Sequence, residues 1–383
     1  MMMTNKLGIY VHVPYCISKC PYCGFYSKAV GGSFDVHGEE FKEYKSKLIK
    51  SIKEYGEVSM GKTVDSIFFG GGTPTVLRAH DLIGILGEIK DAYAVSPDCE
   101  ITVEANPGTV DVDELNKLAD WGFNRLSIGV QSFDKYRLKT LGRIHTTGEG
   151  EEAFLMAREA GFRNINLDLM FGIPGQSVSS WVGTLERALA LKPEHISFYS
   201  LQLEEGTPFF KKFEEGELQE LPDAVDREMY HFAIRMLKDA GYHHYEISNA
   251  ALPGFECRHN IKYWSLDEYL GFGPSAASFS AGYRHTMNED QVVTDIHKNS
   301  DFDNMSEYAF TALRMTAGIN YGVFKSKFGK SFREAFSDRW DELTPFIENK
   351  DLVELVDQEG TPMCLRLTEK GLDISNKIMA CFV

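Results

Sequence analysis

The chain has 383 residues, 43% hydrophobic and 25% charged, with a formal net charge of −16. That length carries one large domain or two ordinary ones, and the acidic balance argues against a general nucleic-acid or anionic-membrane binder. No basic amino-terminal region leads into an apolar core, and no apolar run is long enough to span a bilayer, so a cytoplasmic protein without a membrane span is predicted. Its seven cysteines, an odd number, fit metal ligation plus a few buried thiols better than a disulfide framework.

Short β-rich runs alternate with helical patterns through the first 240 or so residues. Strands are predicted at 7–13, 66–69, 101–104, 125–130, 164–170 and 195–203. Helices are predicted at 39–55, 81–93, 111–121, 134–141, 149–160 and 179–191, with a further helical stretch after Pro222. Six strand–helix units imply a parallel sheet, because each parallel crossover needs a long connection. Such units form either a doubly wound sheet or an incomplete barrel. The polar residues decide between them: Cys16–Cys23, Gly70–Thr73, Glu104, Gln131 and Asp168 fall at or just past successive strand carboxyl ends, the face that carries the active site in α/β barrels. The fold class predicted is therefore α/β, an incomplete (β/α)6 TIM-like barrel.

Beyond about residue 245 the pattern changes. Residues 255–269 are polar and aromatic, 271–275 (Gly-Phe-Gly-Pro-Ser) give a loop signal, and helices dominate from 306. A hairpin is predicted from 352–356 and 364–367, and a helix over 369–379. The organisation expected is a core domain at 1–245, a connecting segment at 246–300, and a C-terminal helical, winged-helix-like domain at 301–383.

Cys16, Cys20 and Cys23 follow the first strand as Cys-x-x-x-Cys-x-x-Cys. Thiolates so close on one loop can converge on one metal centre. Zinc usually wants a fourth ligand from a second Cys or His cluster, and no second Cys pair follows. A four-iron cube held by three cysteines keeps one iron open for chemistry.

This triplet, with the loop Gly70-Gly71-Gly72-Thr73-Pro74 after the second strand, resembles the radical S-adenosylmethionine (SAM) enzymes. In those proteins three cysteines hold a [4Fe–4S] cluster and SAM chelates the fourth iron. One electron from the cluster cleaves SAM to a 5′-deoxyadenosyl radical. Tyr10-Val-His-Val-Pro, Glu104-Ala-Asn-Pro-Gly, Gly129-Val-Gln-Ser-Phe, Leu141-Gly-Arg-Ile-His, Asn166-Leu-Asp-Leu-Met and Phe171-Gly-Ile-Pro-Gly-Gln resemble, in order, the group containing oxygen-independent coproporphyrinogen III oxidase and the haem chaperone HemW family. The resemblance implies a radical SAM barrel with Cys16, Cys20 and Cys23 on the cluster. It also implies SAM contacts from Tyr10, Tyr22, Gly71, Gly72, Thr73, Glu104, Gln131, Arg143 and Asp168. No catalytic residue is assigned.

Two places separate the members of that group. The oxidases carry a fourth cysteine two residues after the triplet, where this chain has Phe25. His259-Asn-Ile-Lys-Tyr-Trp is similar to the His-Asn-x-x-Tyr-Trp motif of the HemW family, which ties His259 to haem as an axial ligand. Ala277 stands where related chains commonly have a histidine. The implied function is a haem chaperone that binds [4Fe–4S], SAM and haem and delivers haem to haem-accepting proteins. An electron donor such as a flavodoxin or ferredoxin would serve the cluster. The alternatives are the coproporphyrinogen oxidase, or a radical SAM haem methyltransferase that opens the ring, since Cys-Gly-Phe also occurs in such enzymes. Whether the chain is an enzyme stays open at this point.

Overall fold

The structure, a computed structural model, describes residues 5–31, 38–59 and 61–383. Six strands, β1 (Lys6–Val13), β2 (Thr63–Gly71), β3 (Ala94–Ala105), β4 (Arg125–Gln131), β5 (Ile165–Phe171) and β6 (His195–Ser200), pair in sequence order. All five pairings are parallel. Helices Glu39–Val58, Ala79–Ala92, Val112–Asp120, Thr147–Glu159 and Val178–Leu191 fill the crossovers. Every residue of β4 is buried, as a strand covered on both faces must be. Its outward Leu126, Ile128 and Val130 join the main core with Leu7, Ile9 and Val11 of β1. Some helix starts are capped by side chains: Asp111 accepts from the Glu114 amide, and Thr146 and Glu149 form a capping box. The fold is the α/β incomplete barrel of six parallel strands the sequence predicts.

The sheet continues past both barrel edges. After β6 come β7 (His243–Glu246) and β8 (Asn249–Ala251), with β8 antiparallel to β6. On the far side β9 (Tyr269–Phe272) pairs parallel to β1. It is followed by the antiparallel β10 (Ala277–Ser280), β11 (Tyr283–Met287) and β12 (Val293–Lys298). None of these strands was visible in the sequence, and part of β9 lies inside the 271–275 loop signal. The runs are short, and Gly271 hides the alternation. Packing requires that glycine: a Cβ on it would lie 2.2 Å from the Ala277 carbonyl oxygen. The predicted loop survives only as the turn after Phe272.

The C-terminal part, from helix Asp301–Ala312, has its own core of Phe324, Phe332, Phe336, Leu343, Leu365 and Phe382. Rings of Phe324, Phe332 and Phe336 pack edge-on or tilted, with centroids 4.9–6.0 Å apart. The predicted hairpin is present as Leu352–Val356 against Pro362–Leu367, and Ile319–Asn320 adds a third strand. The predicted 369–379 helix is instead three short pieces, Gly371–Ile374, Ser375–Met379 and Ala380–Phe382. A Cβ on Gly371 would lie 1.8 Å from the Asp351 carbonyl oxygen, so the first piece docks closely there. Among the described residues no helix is long and apolar enough to cross a membrane.

Candidate functional site

The cysteine loop leaves β1 and returns to it. Lys28–Ala29 pairs parallel with Tyr15–Cys16 and closes the loop at its base. His12 fixes its far limb, with Nε2 2.8 Å from the Tyr26 carbonyl oxygen and Nδ1 3.1 Å from the Tyr10 hydroxyl. The Gly-rich loop docks beneath: Gly72 N–H donates to the Val13 carbonyl at 2.8 Å and Thr73 N–H to that of Tyr15 at 2.7 Å. This contact requires glycine. A Cβ on Gly72 would come within 2.6 Å of the Tyr15 oxygen, and Gly71 has φ +103° with the His12 ring 2.5 Å from where its Cβ would be.

Cys16, Cys20, Tyr22, Cys23, Gly71, Gly72, Thr73, Glu104, Gln131, Arg143 and Asp168 all line one solvent-open cavity, of about 150 Å³, at the strand carboxyl ends. Arg143 organises one wall. Its Nη1 meets the Cys20 sulfur at 3.6 Å, while Nη2 donates to the Gly129 carbonyl at 2.6 Å and to Asn106 Oδ1. Asn106 donates on to Thr73 Oγ1 at 2.6 Å, and that hydroxyl meets the Cys16 sulfur at 3.5 Å. One guanidinium is thus tied to two of the three thiols. Gln131 ends β4 at φ +65°, an unusual backbone state for its type. Its Oε1 accepts from the Tyr199 hydroxyl at 2.8 Å.

Asn106 and Tyr199 received no role from sequence. Tyr199 lies at the end of β6, so the strand-end rule that marked Glu104, Gln131 and Asp168 would have found it. Tyr10 and His259 are elsewhere: their rings pack 6.4 Å apart inside the barrel, and neither lines the cavity.

The chain matches the Radical SAM superfamily over residues 10–188 and the HemN C-terminal domain over residues 300–374. A curated relative named Heme chaperone HemW, from Bacillus subtilis, is 34% identical over 98% of both chains. Another of that name, from Lactococcus lactis, is 32% identical over 100% of this chain and 98% of its own length. The chain belongs to the HemW family of radical SAM proteins. Coproporphyrinogen III oxidase (HemN) from Escherichia coli superposes with a TM-score of 0.83 over 100% of this chain and 91% of its own, at 22% identity, which shows the shared fold.

Membership of the radical SAM superfamily implies [4Fe–4S] and SAM, and the cavity's chemistry fits both. Cys16, Cys20 and Cys23 are free thiols of intermediate exposure facing one space. Among the described residues no three His, Cys, Asp or Glu side chains are grouped as a single-ion site, and a four-iron cube holds its cysteines further apart than one ion does. Beside them Gly71 and Gly72 line the same space, and Arg143, Asp168 and the Glu104 carboxyl offer a cation and hydrogen-bonding oxygens.

Glu104 opens onto the cavity but is otherwise enclosed by protein. Desolvation, then the negative charge of Asp168, pushes its carboxyl up to about 8, so at neutral pH it is largely protonated. An acid whose folded pKa exceeds its unfolded value costs stability as pH rises from the unfolded pKa to the folded one, at most about 1.4 kcal/mol per pH unit. Glu104→Gln is therefore expected to raise the Tm of the cofactor-free chain at pH 8 and to do so far less at pH 5. Thermal unfolding at the two pH values checks this, and an equal shift at both would contradict a neutral Glu104.

The family's motif residue His259 opens a short helix, Arg258–Trp264, at the other end of the barrel. Arg258 and His259 N–H groups donate to the two Glu100 carboxylate oxygens, each at 3.1 Å. His259 Nδ1 is 2.9 Å from Ser66 Oγ and Nε2 2.9 Å from the Tyr263 hydroxyl, with its ring 5.4 Å from Phe68. Gly8 of β1 makes the room: a Cβ there would meet Lys262 Cδ at 2.9 Å and His259 Cε1 at 3.3 Å. Gly8, Ser66 and Glu100 lie near the start of the parallel register, opposite the cysteine cavity. Five residues of strand separate Ser66 from Gly71, about 16 Å. With 1% exposure and both ring nitrogens engaged, His259 has no lone pair open to an iron in this conformation.

Proposed function

We propose that this chain is a radical SAM-type haem chaperone: Cys16, Cys20 and Cys23 hold [4Fe–4S], the cavity beside them holds SAM, and the protein carries haem to haem-dependent proteins. The observation that carries the cofactor half is the convergence of three free thiols, Gly71, Gly72 and a half-buried Arg143 on one cavity. When bound, the cluster supplies one-electron chemistry toward SAM.

The protein's own residues do the rest. Gly71 and Gly72 let backbone groups approach the methionine end of SAM, and Arg143, whose Nη2 already serves Gly129 and Asn106, turns Nη1 to its carboxylate. Glu104 and Asp168 accept from amino or hydroxyl groups, Gln131 and Thr73 supply neutral partners, and Tyr22 closes the wall next to Cys20 and Cys23. Phe25, exposed at the rim, leaves no fourth thiol where the oxidases have one, which supports carriage over coproporphyrinogen oxidation. An electron donor such as a flavodoxin or ferredoxin would reach the cluster from this open side.

The haem half rests on the names of the relatives and on the HNxxYW motif. For His259 to ligate haem, the Arg258–Trp264 helix must first leave its place against Ser66 and Glu100. The test is a paired assay on anaerobically reconstituted protein. Stoichiometric haem uptake and transfer to an apo-haemoprotein, with no protoporphyrinogen formed from coproporphyrinogen, is expected. Turnover of coproporphyrinogen would overturn the carrier reading.

A further inference from the structure

The barrel interior between the motif helix and the cavity is polar and buried, and its hydrogen bonds form one chain. The Cys257 N–H, at the amino end of the motif helix, donates to the Tyr245 hydroxyl at 3.3 Å. That hydroxyl is 2.8 Å from His195 Nε2, and His195 Nδ1 is 2.6 Å from Asn166 Oδ1. Asn166 Nδ2 donates to Asp168 Oδ1 at 2.8 Å and to Ser127 Oγ at 2.7 Å, and Ser127 donates to Asp168 Oδ2 at 3.1 Å. Asp168 lines the cavity.

With Asp168 ionised, the polarity of every link follows. Asp168 as a carboxylate only accepts, so Asn166 turns its amide nitrogen toward it and its oxygen toward His195. An oxygen acceptor there requires the proton on His195 Nδ1. His195 has 0% exposure, and burial, then the nearby Arg125 cation, holds its pKa well below the ordinary value, so Nε2 carries a lone pair. Tyr245 must donate to that lone pair, which leaves its oxygen to accept from Cys257 N–H. All donors point one way, toward Asp168. Burial raises the Asp168 carboxyl, and the bonds from Asn166, Ser197 and Ser127 oppose that rise.

We infer that Tyr245, His195 and Asn166 are positioning residues that hold Asp168 as an oriented acceptor, and that through them the motif helix and the cavity behave as one coupled unit. This rests on the reading that Asp168 meets SAM. The coupling is reciprocal: withdrawal of the helix removes the chain's first donor and weakens SAM binding, and bound SAM holds the helix in place and His259 covered.

The experiment is a double-mutant cycle read as affinity of the reconstituted protein for SAM, using Tyr245→Phe and Asp168→Asn. Tyr245→Phe removes one hydroxyl and is expected to weaken SAM binding about five- to tenfold. In the Asp168→Asn background the same change is expected to cost less than about twofold, because the acceptor it serves is gone. Equal losses in both backgrounds would overturn the inference while leaving the cofactor reading intact. No SAM binding by the wild type, or no loss in Asp168→Asn alone, would overturn the cofactor reading at this residue and the inference with it. Should Tyr245→Phe fold poorly, hydrogen exchange of the wild type decides. SAM is expected to slow exchange of the 257–264 amides; slowing confined to the cysteine and Gly-rich loops would overturn the coupling.

Discussion

Replacing Cys16, Cys20 and Cys23 together by Ala is expected to take iron and sulfide from about four each per reconstituted chain to background. The visible absorbance of the cluster should disappear with them. The fold should survive, because the three side chains are only partly buried and the loop is held by other bonds: its Lys28–Ala29 pairing, the His12 contact and the Gly72 and Thr73 amides. Far-UV circular dichroism of the cofactor-free variant should match the wild type. Unchanged iron content in a folded triple variant would remove the cluster from this loop. The effect is large because no fourth thiol stands by: Cys99 and Cys257 are buried, and Cys364 and Cys381 belong to the C-terminal part.

His259→Ala is the second large effect, and it falls on stability. The substitution deletes a fully packed ring and leaves the Ser66 and Tyr263 hydroxyls without their partner inside the barrel. Cavity formation and lost hydrogen bonds together are expected to cost about 3–5 kcal/mol, a Tm drop of about 4–6 °C in a chain of this size. His259→Gln, which can keep one polar contact, should lose roughly half as much. Differential scanning calorimetry checks both, and a wild-type Tm in His259→Ala would contradict the buried position.

The same burial has a pH signature. Desolvation first, then the Lys262 and Arg125 cations, pushes the His259 pKa down to about 3. A histidine whose folded pKa lies below its unfolded value costs stability as pH falls through the unfolded pKa, here below about 6.5. Loss of haem uptake in His259→Ala is therefore evidence for ligation only when His259→Gln, folded under the assay conditions, loses it too.

The cavity face was legible because its information is local. Three cysteines in eight residues, a Gly-Gly-Gly-Thr-Pro run and a polar residue at each strand end are patterns of spacing, and parallel strands place those ends together. Tyr199 obeyed the same rule and was passed over, since tyrosine at a strand end also reads as core. The other end of the barrel was illegible for the converse reason. Glu100, Arg125, Asn166, His195 and Tyr245 are far apart in sequence, and each alone is an unremarkable polar residue in an apolar strand. Only closure of the sheet brings them under the 258–264 helix. The His259 motif was legible as a motif, but its spacing carries nothing about the Ser66 and Glu100 contacts that bury it. The strands from 269 to 298 were lost because four- to six-residue runs with an internal glycine or an exposed face give no stable period.

The central claim is that three thiolates leave one cluster iron facing a cavity shaped for SAM. Electron paramagnetic resonance of the dithionite-reduced, reconstituted protein, recorded without and with SAM, tests it most directly. The account predicts a reduced-cluster signal whose g-values shift on SAM addition, with the shift weakened in Arg143→Ala. A four-iron signal that SAM leaves unchanged at saturating concentration would contradict it.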